Sequence, residues 1–104
     1  MQMVQLKLVT IIAEALLEER MLEAIQRAGA RGHSLSRVSG QGTRGIHASD
    51  WEGDNIKIET IVSPEVANQI IEHIAQTYFA HYAVIVYTQV VEVVRSEKYL
   101  GAQV

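Results

Sequence analysis

The stretch SGQGTRGIHASDWEGDN, Ser39 to Asn55, concentrates the residues most suited to binding chemistry. Gly40, Gly42 and Gly45 permit close approach of a ligand to backbone N–H groups. Arg44 adds a permanent cation whose fork matches phosphate or carboxylate. Backbone nests beside an arginine make an anion site. The competing reading is a set of ordinary loop glycines. The spacing is no dinucleotide fingerprint, because it lies between two strands and no helix follows to receive a pyrophosphate.

Other candidates are weaker. Trp51, the only tryptophan, stands among Asp50, Glu52 and Asp54. An exposed tryptophan in a polar loop is often a contact residue, and the alternative is packing over a sheet edge. His33, His47, His73 and His81 lack zinc-ligand spacing; His81 opens the last strand. Arg95 and Lys98 form a basic pair that reads as a solvated tail unless it crosses to a neighbouring subunit. No Ser-His-Asp or paired-carboxylate arrangement stands out, and the acids are assigned to helix faces or the loop.

The elements that position these residues follow from periodicity. Residues 3–12 alternate as a strand. Residues 14–28 form an amphipathic helix with Leu17, Met21 and Ile25 on one face, beside Leu22, and Gly29 sits at its C-cap. Residues 33–39 read as a strand around Leu35. Residues 56–62 read as another, with Ile56, Ile58, Thr60 and Val62 on one face. Ser63-Pro64-Glu65 starts a helix by capping, fixed φ and dipole complementarity. Ala67, Ile70, Ile71, Ile74, Ala75 and Tyr78 form its stripe. The β-branched run 82–94 suits a central strand buried on both faces at its start.

The order is β-α-β-β-α-β, an α+β, ferredoxin-like sandwich: a four-stranded antiparallel sheet with two helices on one face. Its other face is bare, yet the alternation places valines and isoleucines there too. A contiguous apolar face of that size calls for oligomerisation through the sheet.

At 104 residues the chain is long enough for one domain with one core. A net charge of −3 gives no general reason to expect nucleic-acid binding. With no cysteine there is no disulfide or thiolate chemistry. No apolar run reaches the roughly 18 residues of a membrane span, and no basic-then-apolar start suggests a signal peptide. The expectation is a cytoplasmic protein without membrane insertion.

The segments GARGHSLSRVSGQGTRG (29–45), NIKIETIV (55–62) and TYFAHYAVIVY (77–87) resemble the PII signalling superfamily. They are most similar to the PII-like proteins of inorganic-carbon metabolism, the SbtB and carboxysome-associated types. The resemblance covers nearly the whole of a single domain, 1–104. It implies a homotrimer with inward-facing sheets and makes residues 41–54 the T-loop, a ligand-responsive arm that touches a partner. It implies adenine nucleotides in the intersubunit clefts: ADP or AMP, with ATP and cyclic AMP as further candidates. Gly40, Gly42, Thr43, Arg44 and Gly45 then lie near the phosphates, and His47 takes a position where SbtB proteins often have a second arginine. Lys57 matches the family's strand lysine. Phe79 to Ala83, including His81 and Tyr82, match the nucleotide-lining B-loop. Arg95 and Lys98 fall near the C-terminal basic residues.

The departures from nitrogen-sensing members also matter. Arg44 replaces a glutamine that helps bind Mg-ATP and 2-oxoglutarate. Residues 41–54 contain no tyrosine for uridylylation, the B-loop reads FAHYA, and the SbtB C-terminal cysteine motif is missing. An extra arginine without the metal-binding glutamine suits a small anion. Bicarbonate at Arg44, Gly45 and Lys57 is therefore expected. Trp51 becomes a partner contact, and the partner a bicarbonate transporter or other carbon-uptake protein that recruits the chain to the inner membrane. The resulting reading is a non-enzymatic sensor with no covalent cofactor and no metal. The rivals are an acylphosphatase-like phosphohydrolase, whose anion loop would follow the first strand, and a metal-binding or nitrogen-regulatory PII homologue.

Overall fold

The computed structural model describes residues 2–39 and 55–101. Strand β1 (Val4–Glu14) leads through a 3₁₀ turn (Ala15–Leu17) into helix α1 (Glu18–Ala28). Strands β2 (Ser34–Val38) and β3 (Asn55–Val62) follow, then helix α2 (Pro64–Tyr78), strand β4 (Ile85–Val93) and a short helix α3 (Ser96–Leu100). The sheet order is β2-β3-β1-β4, and every neighbouring pair is antiparallel. This is the ferredoxin-like arrangement expected from the sequence.

The core lies between the sheet and helices α1 and α2. Val9, Ile11 and Ala13 of β1 and Ile56, Ile58 and Val62 of β3 meet Leu17, Met21 and Ile25, and also Ala67, Ile70, Ile74 and Tyr78 of α2. The register sets Ile11 opposite Ile58 and Ala13 opposite Ile56, so one face of two central strands is continuous hydrocarbon. Fully burying each such side chain contributes about 1.5–3 kcal/mol. The expected faces of β3 and α2 are therefore present, with Ile71 and Ala75 at the half-buried margin of the α2 stripe.

Local signals act as chemistry requires. The Ser63 side chain accepts a hydrogen bond from Val66 N–H at 3.2 Å, and Pro64 occupies the first turn of α2. Gly29 adopts φ 121° after α1; its N–H donates to Gln26 C=O at 3.1 Å. The Thr60 hydroxyl donates to Gly32 C=O at 2.6 Å, tying the α1–β2 connection to β3.

Four features depart from expectation. The helix placed over residues 14–28 begins only at Glu18: residues 13–17 offer no Ser, Thr, Asp or Asn cap, and β1 instead pairs with β3 as far as Glu14 opposite Asn55. The last strand starts at Ile85, not residue 82. Tyr82 N–H donates to Tyr78 C=O at 2.9 Å, which extends the turn after α2, while Tyr82 and Val84 pack against the core from that connection. Strand β4 is an edge strand, not a central one, and leaves Ile85, Tyr87 and Val90 exposed. Residues 96–100 fold into α3 in place of a tail; α3 approaches β3, and Gly101 beyond it lies against the Arg31 guanidinium.

Gly29→Ala tests the C-cap. An alanine there carries a positive φ, and its Cβ would meet Val66 Cγ2 at 3.2 Å. The urea midpoint should fall, corresponding to a loss of more than about 1 kcal/mol, with an unchanged slope. Wild-type stability in this variant would contradict the assignment.

Candidate functional site

The two ends of the sheet have different content. At one end lie the last residues of β1 and β2 and the first residues of β3 and β4. The connection carrying the glycine–arginine stretch leaves and re-enters the sheet here, between Val38 and Asn55. Gly40, Gly42, Thr43, Arg44, Gly45, His47 and Trp51, together with the expected T-loop 41–54, lie outside the described residues.

Lys57 stands at this end on the face of the sheet turned away from α1 and α2. It is half-buried, opposite Ile12 of β1 on one side and Ser36 of β2 on the other. Opposed side chains on a sheet have Cβ atoms about 4.5–5.5 Å apart, so the Lys57 stem lies beside the Ser36 hydroxyl. The α2–β4 connection reaches the same end. Phe79 and His81 are exposed there, and Tyr82 and Ala83 are half-buried. Tyr82 is set by its edge-on contact with Tyr78, ring centroids 5.8 Å apart. The structure therefore brings Lys57 and the 79–83 connection to the end from which the loop departs.

Arg95 and Lys98 are elsewhere. They follow β4, whose eight steps carry the chain roughly 27 Å from Ile85, and both are exposed around α3. Within one chain they stand at the opposite end of the sheet from Lys57.

Several polar residues escaped the sequence reading. Glu14 and Glu59 near the loop end, and Glu92 toward the other end of β4, stand in strands, not on helix faces or in the loop. Glu14 Oε2 is buried with no hydrogen-bond partner among the described residues. Ser34 and Ser36 share the face of Lys57 and Glu59, opposite Glu59 and Lys57 respectively. The available signal was the strict alternation of β3: with Ile56 and Ile58 in the core, Lys57 and Glu59 must occupy the other face.

On the helix side, Arg37 near the end of β2 pairs with Glu18 of α1 at 3.6 Å. A concavity of about 570 Å³ between α1 and α2 is lined by Arg20, Glu23, Arg27, Gln69 and His73, among others. It is an open groove of solvated side chains, with Arg27 already paired to Glu23 at 3.5 Å, and it is remote from Lys57. No cluster of three or more potential metal ligands occurs among the described residues, and no described helix is long and apolar enough to cross a membrane.

The family model for nitrogen regulatory protein P-II matches residues 6–98. The chain belongs to the P-II family. That places it among signalling proteins and not with the acylphosphatases. A PII-like signalling protein from Thermus thermophilus is 55% identical, with TM-score 0.82, over 95% of this chain and 99% of that one. CPII from Thiomonas intermedia K12, in a structure bound to ADP and bicarbonate, is 25% identical with TM-score 0.81, over 94% and 97% of the two chains. The same protein bound to ADP, AMP and acetate matches with TM-score 0.82 at 25% identity.

Because the Glu18–Arg37 pair is partly solvated, it is expected to add little stability. Glu18→Gln should change unfolding free energy by less than about 1 kcal/mol. A larger drop in the urea midpoint would show that this pair anchors the end of β2.

Proposed function

We propose that this P-II family member is a non-enzymatic sensor that binds ADP or AMP, with ATP and cyclic AMP as weaker candidates, in clefts between the subunits of a homotrimer. Bicarbonate binds beside the nucleotide at Arg44, Gly45 and Lys57. The phosphates lie against Gly40, Gly42, Thr43, Arg44, Gly45 and His47. Phe79, His81, Tyr82 and Ala83 line the nucleotide, and Arg95 and Lys98 of a neighbouring copy close the cleft from their distant position in the chain.

The observation that carries this reading is the position of Lys57, a half-buried cation at the sheet end where the glycine–arginine connection departs. It is supported by the likeness to CPII, which is bound to ADP and bicarbonate. Two cations flanking amide-rich backbone favour an anionic ligand over adenosine alone. Residues 41–54 act as the T-loop: ligand binding orders them and changes their affinity for a bicarbonate transporter or related carbon-uptake protein, with Trp51 at the contact. Ordering costs about 1–2 kcal/mol of entropy per fixed residue. The second anion supplies contacts that offset this cost. The protein acts in the cytoplasm and is recruited to the inner membrane through its partner.

Titration calorimetry with ADP, with and without bicarbonate, tests the reading. Bicarbonate should tighten ADP binding by the same factor that ADP tightens bicarbonate, whereas chloride at matched ionic strength should not. Arg44→Ala should weaken ADP binding about ten- to a hundredfold while leaving adenosine far less affected. Equal losses for both ligands would refute the phosphate contact. Trp51 emission should respond more to ADP with bicarbonate than to ADP with chloride; identical responses would refute the bicarbonate reading.

A further inference from the structure

Among the described acids, Glu14 alone has a buried carboxylate oxygen without a hydrogen-bond partner. It is the last residue of β1, with extended backbone at φ −65° and ψ 144°. Strand alternation sets it on the face of Thr10 and Ile12, away from Val9, Ile11 and Ala13 in the helix-side core. Its Oε2 is closed off from water and unpaired, although Asn55 stands directly opposite. The residue as a whole is half-buried, so the carboxylate still meets the surface through its other oxygen. The ion pairs among the described residues, Arg27–Glu23 and Arg37–Glu18, do not include it.

A carboxylate so placed has a cost in the isolated chain. When ionised it only accepts hydrogen bonds. With one oxygen cut off from water and no donor supplied, its desolvation is not offset. Glutamine would end the strand equally well, with the same shape and no charge.

Lys57 is its near neighbour on the same face. The register opposes Glu14 to Asn55 and Ile12 to Lys57. Glu14 and Lys57 are therefore diagonal neighbours on adjacent strands, about 7–8 Å apart and within reach of long side chains. No ion pair joins them. An acceptor and a cationic donor thus border one patch of the sheet end, where the connection between Val38 and Asn55 departs, without satisfying each other. A small ligand that fits both must offer a hydrogen at one end and a negative oxygen at the other.

We infer that Glu14 is a specificity residue of the proposed anion site, and that it selects a planar anion carrying a hydroxyl group. Bicarbonate has that form. Its O–H donates to the Glu14 carboxylate, and its charged oxygens accept from the Lys57 ammonium. Nitrate has the same planar shape, three oxygens and the same charge, but no hydrogen to donate. In the same position it lays a bare oxygen against the carboxylate, so repulsion replaces a charge-assisted hydrogen bond. Sites built to pair with a hydroxyl reject analogues that lack it, because their own polar group is then left unpaired. The inference rests on the bicarbonate reading above and adds the group that separates bicarbonate from other monovalent anions.

The test is titration calorimetry of the ADP-bound full chain with bicarbonate and with nitrate at matched ionic strength, for wild type and Glu14→Gln. Circular dichroism checks the fold of the variant, and the wild-type comparison stands without it. Wild type should bind bicarbonate about ten- to a hundredfold more tightly than nitrate. Glutamine keeps the shape, removes the charge and adds an N–H donor, so Glu14→Gln should bind the two anions within about threefold of each other. Equal affinity of wild type for both anions would overturn selection by Glu14. A Glu14→Gln protein that keeps the full preference would overturn the role of Glu14 and leave the bicarbonate reading standing. If neither anion binds to wild type, the bicarbonate reading and this inference fall together.

Discussion

Strand β1 carries buried or half-buried residues on both faces although α1 and α2 cover only one. Val9, Ile11 and Ala13 face the helices and are almost fully buried. On the other face Leu6 and Thr10 are also below 5% exposure. A central strand with hydrocarbon on both sides stabilises the domain strongly through the helices. It also leaves a second surface that is best buried by something outside the chain. In the order β2-β3-β1-β4, β3 and β1 take the middle, and β4 is an edge whose Ile85 and Tyr87 stay exposed.

The same constraint directs the binding chemistry. With Ile56 and Ile58 in the helix-side core, Lys57 between them falls on the open face by strand alternation alone. It lies at the end where the glycine–arginine connection departs, while Arg95 and Lys98 lie at the other end of β4. A single chain therefore separates the cations that family resemblance groups together. In the proposed function, association of copies is what would unite them.

What the sequence disclosed depended on how local the signal was. The Ser63-Pro64 start of α2, the Gly29 stop of α1 and the alternation of β3 are written within a few residues, and each matches the structure. The start of α1 was misplaced because Glu14 is held in strand pairing with β3 and Ala15–Leu17, without a capping side chain, form a 3₁₀ turn before the α-helix begins. The position of β4 at the edge depends on strand order, which no local pattern encodes. Helix α3 has only five residues, too few to show a period. Among site residues, Lys57 was found through family resemblance. Glu14, Glu59, Ser34 and Ser36 were missed because their proximity arises from register between strands distant in sequence.

The central claim is that ligands bind between copies at the loop end of the open face. Hydrogen–deuterium exchange of the full chain, with and without ADP plus bicarbonate, tests it most directly. The account predicts added protection in residues 34–38, 55–59 and 79–85, together with residues 95–101, although the last segment lies at the opposite end of its own chain. Joint protection of these separated segments is the mark of a cleft shared by two copies. Protection confined to α1 and α2, around the groove lined by Arg20 and His73, would contradict the account.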